Sequence, residues 1–338
     1  MNNKKTLLMC RNTQIYNITD DAVINPALCP FNTQMSSDTK KSYEKWRSNR
    51  VYLKSNRVAE QIVKQAGGIN TRESKRRLSL SDSFWVKYEV DNGINFEDIT
   101  PYLNDFSMLI SRGGKSSSTP ELVLGGSQPK QWLRNGITYM RKAEFPEQVH
   151  REMLAVKLAR KAGIPVMDAF IEVEKNRIYA DDYRESLNAG TINLVNMTDM
   201  NYSLIQFDQL NIGVNGLNPN NVIEAYKRAC VDEVLKSDVL KQIILDGVVG
   251  NIDRENNNSN WAVFMCNETG KRSISPMYDF NWANLDGESQ IIGKIASNIK
   301  NNDLSEEAVV IAKNLSNCCS ELGLSQWESN AKELLKNL

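Results

Sequence analysis

Histidine is nearly missing from this chain: there is one, His150, in 338 residues. Multi-histidine metal centres are excluded. A Ser-His-Asp or Cys-His mechanism would have to rest on His150, which lies in a charged, helix-like stretch (147–162) where a surface position accounts for it. The six cysteines (10, 29, 230, 266, 318, 319) never fall in a C-x-x-C spacing. That argues against a zinc ribbon and predicts free thiols in a reducing cytosol. Net charge is missing too. Acidic and basic residues balance at 41 each, so no global field points to a nucleic-acid or membrane partner, and direct nucleic-acid binding is not expected. No apolar run is long enough to span a bilayer. Behind the N-terminal lysines the apolar stretch 6–10 is too short for a secretory h-region. A cytoplasmic chain is the expectation. Internal repeats are also lacking.

What is present fills two or three packed units. Residues 5–18 alternate like a strand pair around Arg11 and Asn12. Residues 19–38 are loop-rich, and from Asp38 the pattern turns helical. A second helical run begins at Asn56 and stops at Gly67 and Gly68. The span 40–77 holds twelve Lys/Arg against three Asp/Glu; a solvated helix face explains it, with a docking surface for an acidic partner as the second reading. A turn, a short strand and an acidic connector follow over 78–107. Residues 111–120 (S-R-G-G-K-S-S-S-T-P) have the composition of a flexible linker and set the main boundary. The expected division is 1–110, 111–200 and 201–338.

Past the linker, a glycine turn at Gly125 and Gly126 separates strand-like runs that continue through 137–143. A helix is predicted over 147–162, stopped by Gly163, and strands over 165–173, 177–180 and 191–196. Helices are then expected at 221–230, 237–247, 305–322 and 326–338. Strand-rich followed by helix-rich is an α+β arrangement.

The stretch 249–280 carries the chemistry. An apolar helix ends at Gly250, then come Asp253, several asparagines, a short strand over 261–266 and Asp279. An acid on a loop, an amide after it and a second acid one hairpin later suit phosphoryl transfer. One carboxylate orients the attacking hydroxyl; the amide oxygen and the other carboxylate hold Mg²⁺. An Asn-rich loop joining a helix to a hairpin explains the same residues. The stretch alone leaves both readings open. The order of parts favours the first: glycine turn (Gly125, Gly126, Ser127, Gln128, Lys130), strand lysine (Lys142), helix glutamate (Glu152), connecting strand, Asp253, asparagine, hairpin, Asp279. The glycine turn matches neither the P-loop pattern nor the kinase G-x-G-x-x-G, and alone it reads as a hairpin turn.

On these residues, above all G-N-I-D-R at 250–254, N-W at 260–261 and Y-D at 278–279, the chain resembles the HipA-like kinases, a bacterial branch of the protein-kinase-like fold. The stretch L-S-L-S-D-S-F-W at 78–85 is similar to the N-terminal region of smaller members. The resemblance implies a two-lobed fold, strand-rich then helix-rich, with an extra N-terminal α+β region. It implies a serine/threonine protein kinase using ATP and Mg²⁺. Lys142 would be the nucleotide-phosphate lysine, Glu152 its partner, Asp253 the catalytic acid/base and Asp279 a metal ligand. Leu194, Val195 and Asn196 are candidates for the adenine hinge. The sequence departs from the family where Glu255 follows D-R in place of histidine, and where Phe280 and Asn281 follow Asp279. The loop after Asp253 is two residues longer. Counting five on from Asp253 gives Asn258 as the second metal ligand, whereas counting back from the strand gives Asn260; stiffness favours Asn260. Autophosphorylation is expected within Ser116, Ser117, Ser118 or Thr119. The rival readings are a small-molecule or lipid kinase of the same fold, and a non-catalytic nucleotide-binding module of a toxin–antitoxin pair with an antitoxin-like or regulatory protein partner.

Overall fold

The computed structural model describes residues 5–31, 38–50, 79–100, 102–103, 130–171, 190–195, 197–214, 216–229, 231–287 and 289–338. The fold is mixed α+β, with three antiparallel sheets and eight α-helices among the described residues.

The predicted N-terminal strand pair forms as β1 (Thr6–Cys10) and β2 (Thr13–Asn17), turning through Arg11 at φ 50°. β3 (Ala22–Val23) and β4 (Phe84–Tyr88) complete a sheet in the order β3-β2-β1-β4. Helix α1 (Thr39–Asn49) starts at Asp38, whose carboxylate accepts from the Lys41 amide at 2.9 Å and so satisfies a first-turn donor. Its apolar face lays Tyr43 and Trp46 against Tyr16, Phe31 and Phe84 in an aromatic cluster of tilted and edge-to-face pairs. Arg50 leaves that helix to form a buried ion pair with Asp82 at 2.8 Å. Asp82 also accepts from the Phe84 amide and so sets the start of β4. The second helical run and the 111–120 linker lie outside the described residues, as does most of the 40–77 basic span.

The second sheet runs β5-β6-β8-β7: β5 (Lys130–Asn135), β6 (Ile137–Glu144), β8 (Gly190–Val195) and β7 (Ala169–Ile171). The expected turn at Gly125 lies outside the described residues. The one joining β5 to β6 is at Gly136, whose φ of +73° is readily adopted only without a Cβ. Helix α2 (Pro146–Lys161) buries Val149, Glu152, Ala155, Val156, Leu158 and Ala159 and stops at Gly163, while His150 is exposed as expected.

The third sheet, β11-β10-β9, contains a strand the sequence reading lacked, β9 (Tyr202–Gln206), beside β10 (Ala262–Cys266) and β11 (Arg272–Ile274). Below it pack α3 (Pro219–Arg228), α4 (Lys236–Val249), the short α5 (Asp253–Asn256), α6 (Ile292–Lys300), α7 (Ser305–Glu321) and α8 (Ser325–Asn337). From Val239 onward α4 is buried nearly all round, and α3, α6, α7 and α8 all pack on it. It ends at Gly250, whose φ of +68° supplies the left-handed cap. The chain therefore turns sharply and delivers Asp253 beside the core. Asp253 is not on a loop as expected: it opens the four-residue α5, and Asn258–Asn260 forms a 3₁₀ turn. One hydrophobic core runs from Leu8 and Trp46 in the N-terminal region to Ile244 and Leu334 in the helices. Among the described residues, no helix is long and apolar enough to cross a membrane.

Candidate active site

Lys142 and Glu144 stand two apart on β6, so the pleat points both side chains to one face. That face meets the buried side of α2, which carries Glu152. It also meets the segment after β11, where Asp279 adopts φ +62°. The Lys142 ammonium lies 2.9 Å from Glu144 Oε1, 3.3 Å from Glu152 Oε2 and 2.8 Å from Asp279 Oδ1. Lys142, Glu144 and Glu152 are buried, whereas the Asp279 side chain is 27 % exposed. Both glutamates also accept from the segment that follows Asp279. Glu152 Oε1 accepts from the Phe280 amide at 3.3 Å, and Glu144 Oε1 accepts from Asn281 Nδ2 at 3.1 Å.

Three carboxylates around one ammonium leave excess negative charge in a poorly solvated place. Burial, partly offset by Lys142 and reinforced by Glu144, pushes the Glu152 carboxyl up to about 8. Burial works against the Lys142 ammonium, but Asp279, Glu152 and Glu144 outweigh it and hold it well above its ordinary value. The lysine is therefore a fixed cation.

A second group centres on Asp253. Its Oδ2 accepts from Asn260 Nδ2 at 2.7 Å and from Asn257 Nδ2 at 3.3 Å. Asn260 is buried, and with its nitrogen committed to Asp253 its oxygen is the atom that can take a cation. Asn258 faces elsewhere: its Oδ1 accepts from the Val214 amide at 2.9 Å and fastens the loop after β9.

Arg254 joins the two groups. It is buried, ion-paired to Asp246 of α4 at 2.7 Å, and donates to the carbonyls of Tyr278 (2.8 Å) and Asn260. Its guanidinium carbon lies 5.4 Å from the Trp261 ring centroid and 5.7 Å from that of Phe280. Next to Asp253 in sequence and bonded to the residue before Asp279, Arg254 ties both acids to one post. Burial raises the Asp246 carboxyl to about 6 despite Arg254 and Asn251.

Of the remaining expected site residues, Gly125, Gly126, Ser127, Gln128 and Asn196 lie outside the described residues, as do the four candidate phosphorylation positions. Lys130 pairs through its backbone with Lys142 across β5 and β6. Val195 closes β8 opposite Tyr139, and Leu194 packs with Val149, Met167, Leu204, Ala262 and Tyr278 as an apolar wall beside the lysine strand.

No protein-family model matches this sequence, and no curated protein does. Solved structures do. HipA of the Shewanella oneidensis MR-1 toxin–antitoxin system, in complex with HipB and its operator DNA, superposes with a TM-score of 0.59 at 14 % identity, over 98 % of this chain and 96 % of that one. The chain has a HipA-like kinase fold. The Helicobacter pylori proinflammatory kinase CtkA is also similar, with a TM-score of 0.41 at 14 % identity, over 62 % of this chain and 90 % of that one.

Sequence reasoning within this HipA-like kinase fold missed Glu144, Asn281 and Asp246. Strand alternation could have put Glu144 on the lysine's face. Nothing local could have shown that Asn281, in the position where the family has glycine, reaches back across 137 residues to meet it.

Proposed function

We propose that the chain is an ATP- and Mg²⁺-dependent kinase that phosphorylates serine or threonine hydroxyls of proteins, itself included. The observation that carries this reading is the Lys142 ammonium held between Glu152 of α2 and Asp279, with Asp253 on the same scaffold. The donor set fits the cofactors. A partly exposed carboxylate (Asp279) and an amide oxygen (Asn260) are hard ligands, and Mg²⁺ ordinarily completes its shell from phosphate and water. Bound ATP supplies the phosphoryl group, and Mg²⁺ neutralises charge on it.

The chain's own residues do the rest. Lys142 presents a fixed positive charge to the nucleotide phosphates, and Glu152 and Glu144 keep its side chain in one rotamer. Asp253 Oδ2 orients the incoming hydroxyl and accepts its proton, while Asn260 fixes the carboxylate's plane. As the family resemblance implies, Leu194, Val195 and Asn196 would border the adenine, and Gly125, Gly126, Ser127, Gln128 and Lys130 would contact the phosphates. A protein partner of the antitoxin kind is part of this reading, supported by the HipA structure that includes HipB.

The test is incubation of purified chain with γ-labelled ATP and Mg²⁺. Label on protein serine or threonine is expected, with peptides containing Ser116, Ser117, Ser118 or Thr119 carrying it in cis. Asp253→Ala and Asp279→Ala should each lower transfer roughly 10³-fold or more without changing the melting temperature by more than a few degrees. Label appearing only on a metabolite or lipid, or undiminished transfer by Asp253→Ala, would refute it.

A further inference from the structure

The segment that carries Asp279 is held differently on its two sides. Before Asp279 the ties are to the backbone. The Met277 amide donates to the Pro165 carbonyl at 2.9 Å, the Met167 amide donates to the Met277 carbonyl at 3.0 Å, and Arg254 donates to the Tyr278 carbonyl. Past Asp279 the hold passes to two carboxyl side chains. Glu152 accepts from the Phe280 amide and Glu144 accepts from the Asn281 side chain. Backbone pairing resumes where the Asn284 amide donates to the Val249 carbonyl at 2.7 Å. Between the two sides Asp279 keeps φ +62°. A residue with a Cβ stays in the left-handed region only where its surroundings over-determine it.

Asn281 is turned inward between the part-exposed Asp279 and Trp282, which is 55 % exposed. Its amide nitrogen meets Glu144 Oε1, the same oxygen that pairs with Lys142. As a stabilising contact the pair is poor. Both residues are buried, and among the described residues Glu144 Oε2 and Asn281 Oδ1 have no hydrogen-bond partner. Each orphaned oxygen costs free energy that an apolar side chain of similar size would not. Glu144 also adds a third carboxyl around the single Lys142 ammonium. A local rule broken at a cost to stability marks a site kept for function.

We propose that Asn281 and Glu144 are positioning residues for Asp279: their hydrogen bond fixes the segment after it and so holds its carboxylate in place beside Lys142. The purpose of this hold rests on the kinase reading, in which a ligand already in place binds metal without first being ordered. Glu144 Oε1 takes both contacts and Oε2 takes none, so a glutamine at 144 can still accept from Asn281.

Hydrogen exchange of the metal- and nucleotide-free protein is compared for wild type, Asn281→Leu, Glu144→Leu, Glu144→Gln and the Glu144→Leu/Asn281→Leu double variant. In Asn281→Leu and in Glu144→Leu, residues 278–283 should exchange about tenfold or more faster, with α4, α7 and α8 unchanged. Glu144→Gln should restore slow exchange there. The double variant should exchange no faster than either single one, because the two residues act as one device, and should melt no lower than wild type. In Asn281→Leu the Mg²⁺ needed for half-maximal transfer should rise by a larger factor than kcat at saturating Mg²⁺ falls. Wild-type exchange over 278–283 in Asn281→Leu, effects that add in the double variant, or a lowered melting temperature with faster exchange throughout the protein overturns the proposal. Exchange is read without ATP, so an absence of transfer by wild type refutes the kinase reading, while the exchange results still decide the hold on Asp279.

Discussion

Asn258 and Asn260 stand at the two ends of one short 3₁₀ helix, and that separation gives them two jobs. The first closes a loop through the Val214 amide; the second touches Asp253. Asn260→Ala should therefore raise the Mg²⁺ concentration for half-maximal transfer and lower kcat. Asn258→Ala should leave both within about twofold and cost only the roughly 1 kcal/mol of one hydrogen bond. Mg²⁺ titrations of the two variants decide, and the opposite ranking would move the ligand to Asn258. Glu152 offers a second reading at this scale. Its carboxyl rises from an ordinary 4.5 to about 8, chiefly through burial. A carboxyl raised in the folded state is most favourable to stability when protonated, so its contribution is whole below about pH 4.5 and is lost as pH climbs towards 8. Asp246, raised to about 6, ionises earlier in the same direction. Between pH 6.5 and 8.5, the stability of the metal-free protein should fall with pH in wild type and fall less in Glu152→Gln. Parallel profiles would assign the slope elsewhere. The G-N-I-D-R and Y-D motifs could be read because each is a contiguous run, and Arg254 does tie the segments that carry Asp253 and Asp279 together. Glu144 could not, because its meaning depends on a partner that only the fold brings near.

Among elements, legibility followed the range of the interactions. β1 and β2 form a local hairpin, and α4 ends at a glycine; both signals sit within a few residues. β9 went unread because the strand it pairs with among the described residues, β10, lies some sixty residues on. Helix α6 buries Ile292, Ile295, Ala296 and Ile299 at helical spacing, yet it has no side-chain cap to announce its start. Arg254 is where element-level energetics concentrate, since α4, α5, β10 and the Asp279 segment all depend on one guanidinium. Arg254→Ala leaves Asp246 buried and unpaired, and should cost about 3–5 kcal/mol in urea unfolding. Pairing it with Asp246→Leu removes the stranded charge, so the double variant should be more stable than Arg254→Ala alone. A double variant as unstable as the single would show that the guanidinium's bonds to the Asn260 and Tyr278 carbonyls dominate.

On the scale of the whole molecule, the N-terminal region shares its core with the helical half, and a glycine makes one close point of their contact. Gly270 turns the chain between β10 and β11 at φ +76°. A Cβ there would sit 2.2 Å from the Ala27 carbonyl oxygen and 2.6 Å from its carbon, both backbone atoms that cannot rotate aside. Arg272, two residues on, donates to the Cys29 carbonyl and fixes the same segment. Gly163 provides the comparison: its φ is +70°, but nothing lies within 4 Å of its Cβ position. Gly163→Ala therefore meets only the cost of a left-handed alanine, about 1–2 kcal/mol. Gly270→Ala meets that cost and must also push the turn away from residue 27, loosening Phe31 and the α1 aromatics seated behind it. Its loss in urea unfolding should exceed that of Gly163→Ala by about 2 kcal/mol or more, in the range of overpacking strain. Hydrogen exchange should show the excess as faster exchange in β1, β2 and α1, with α7 and α8 unchanged. Equal losses for the two variants would mean that the N-terminal region is not pressed against the β10–β11 turn.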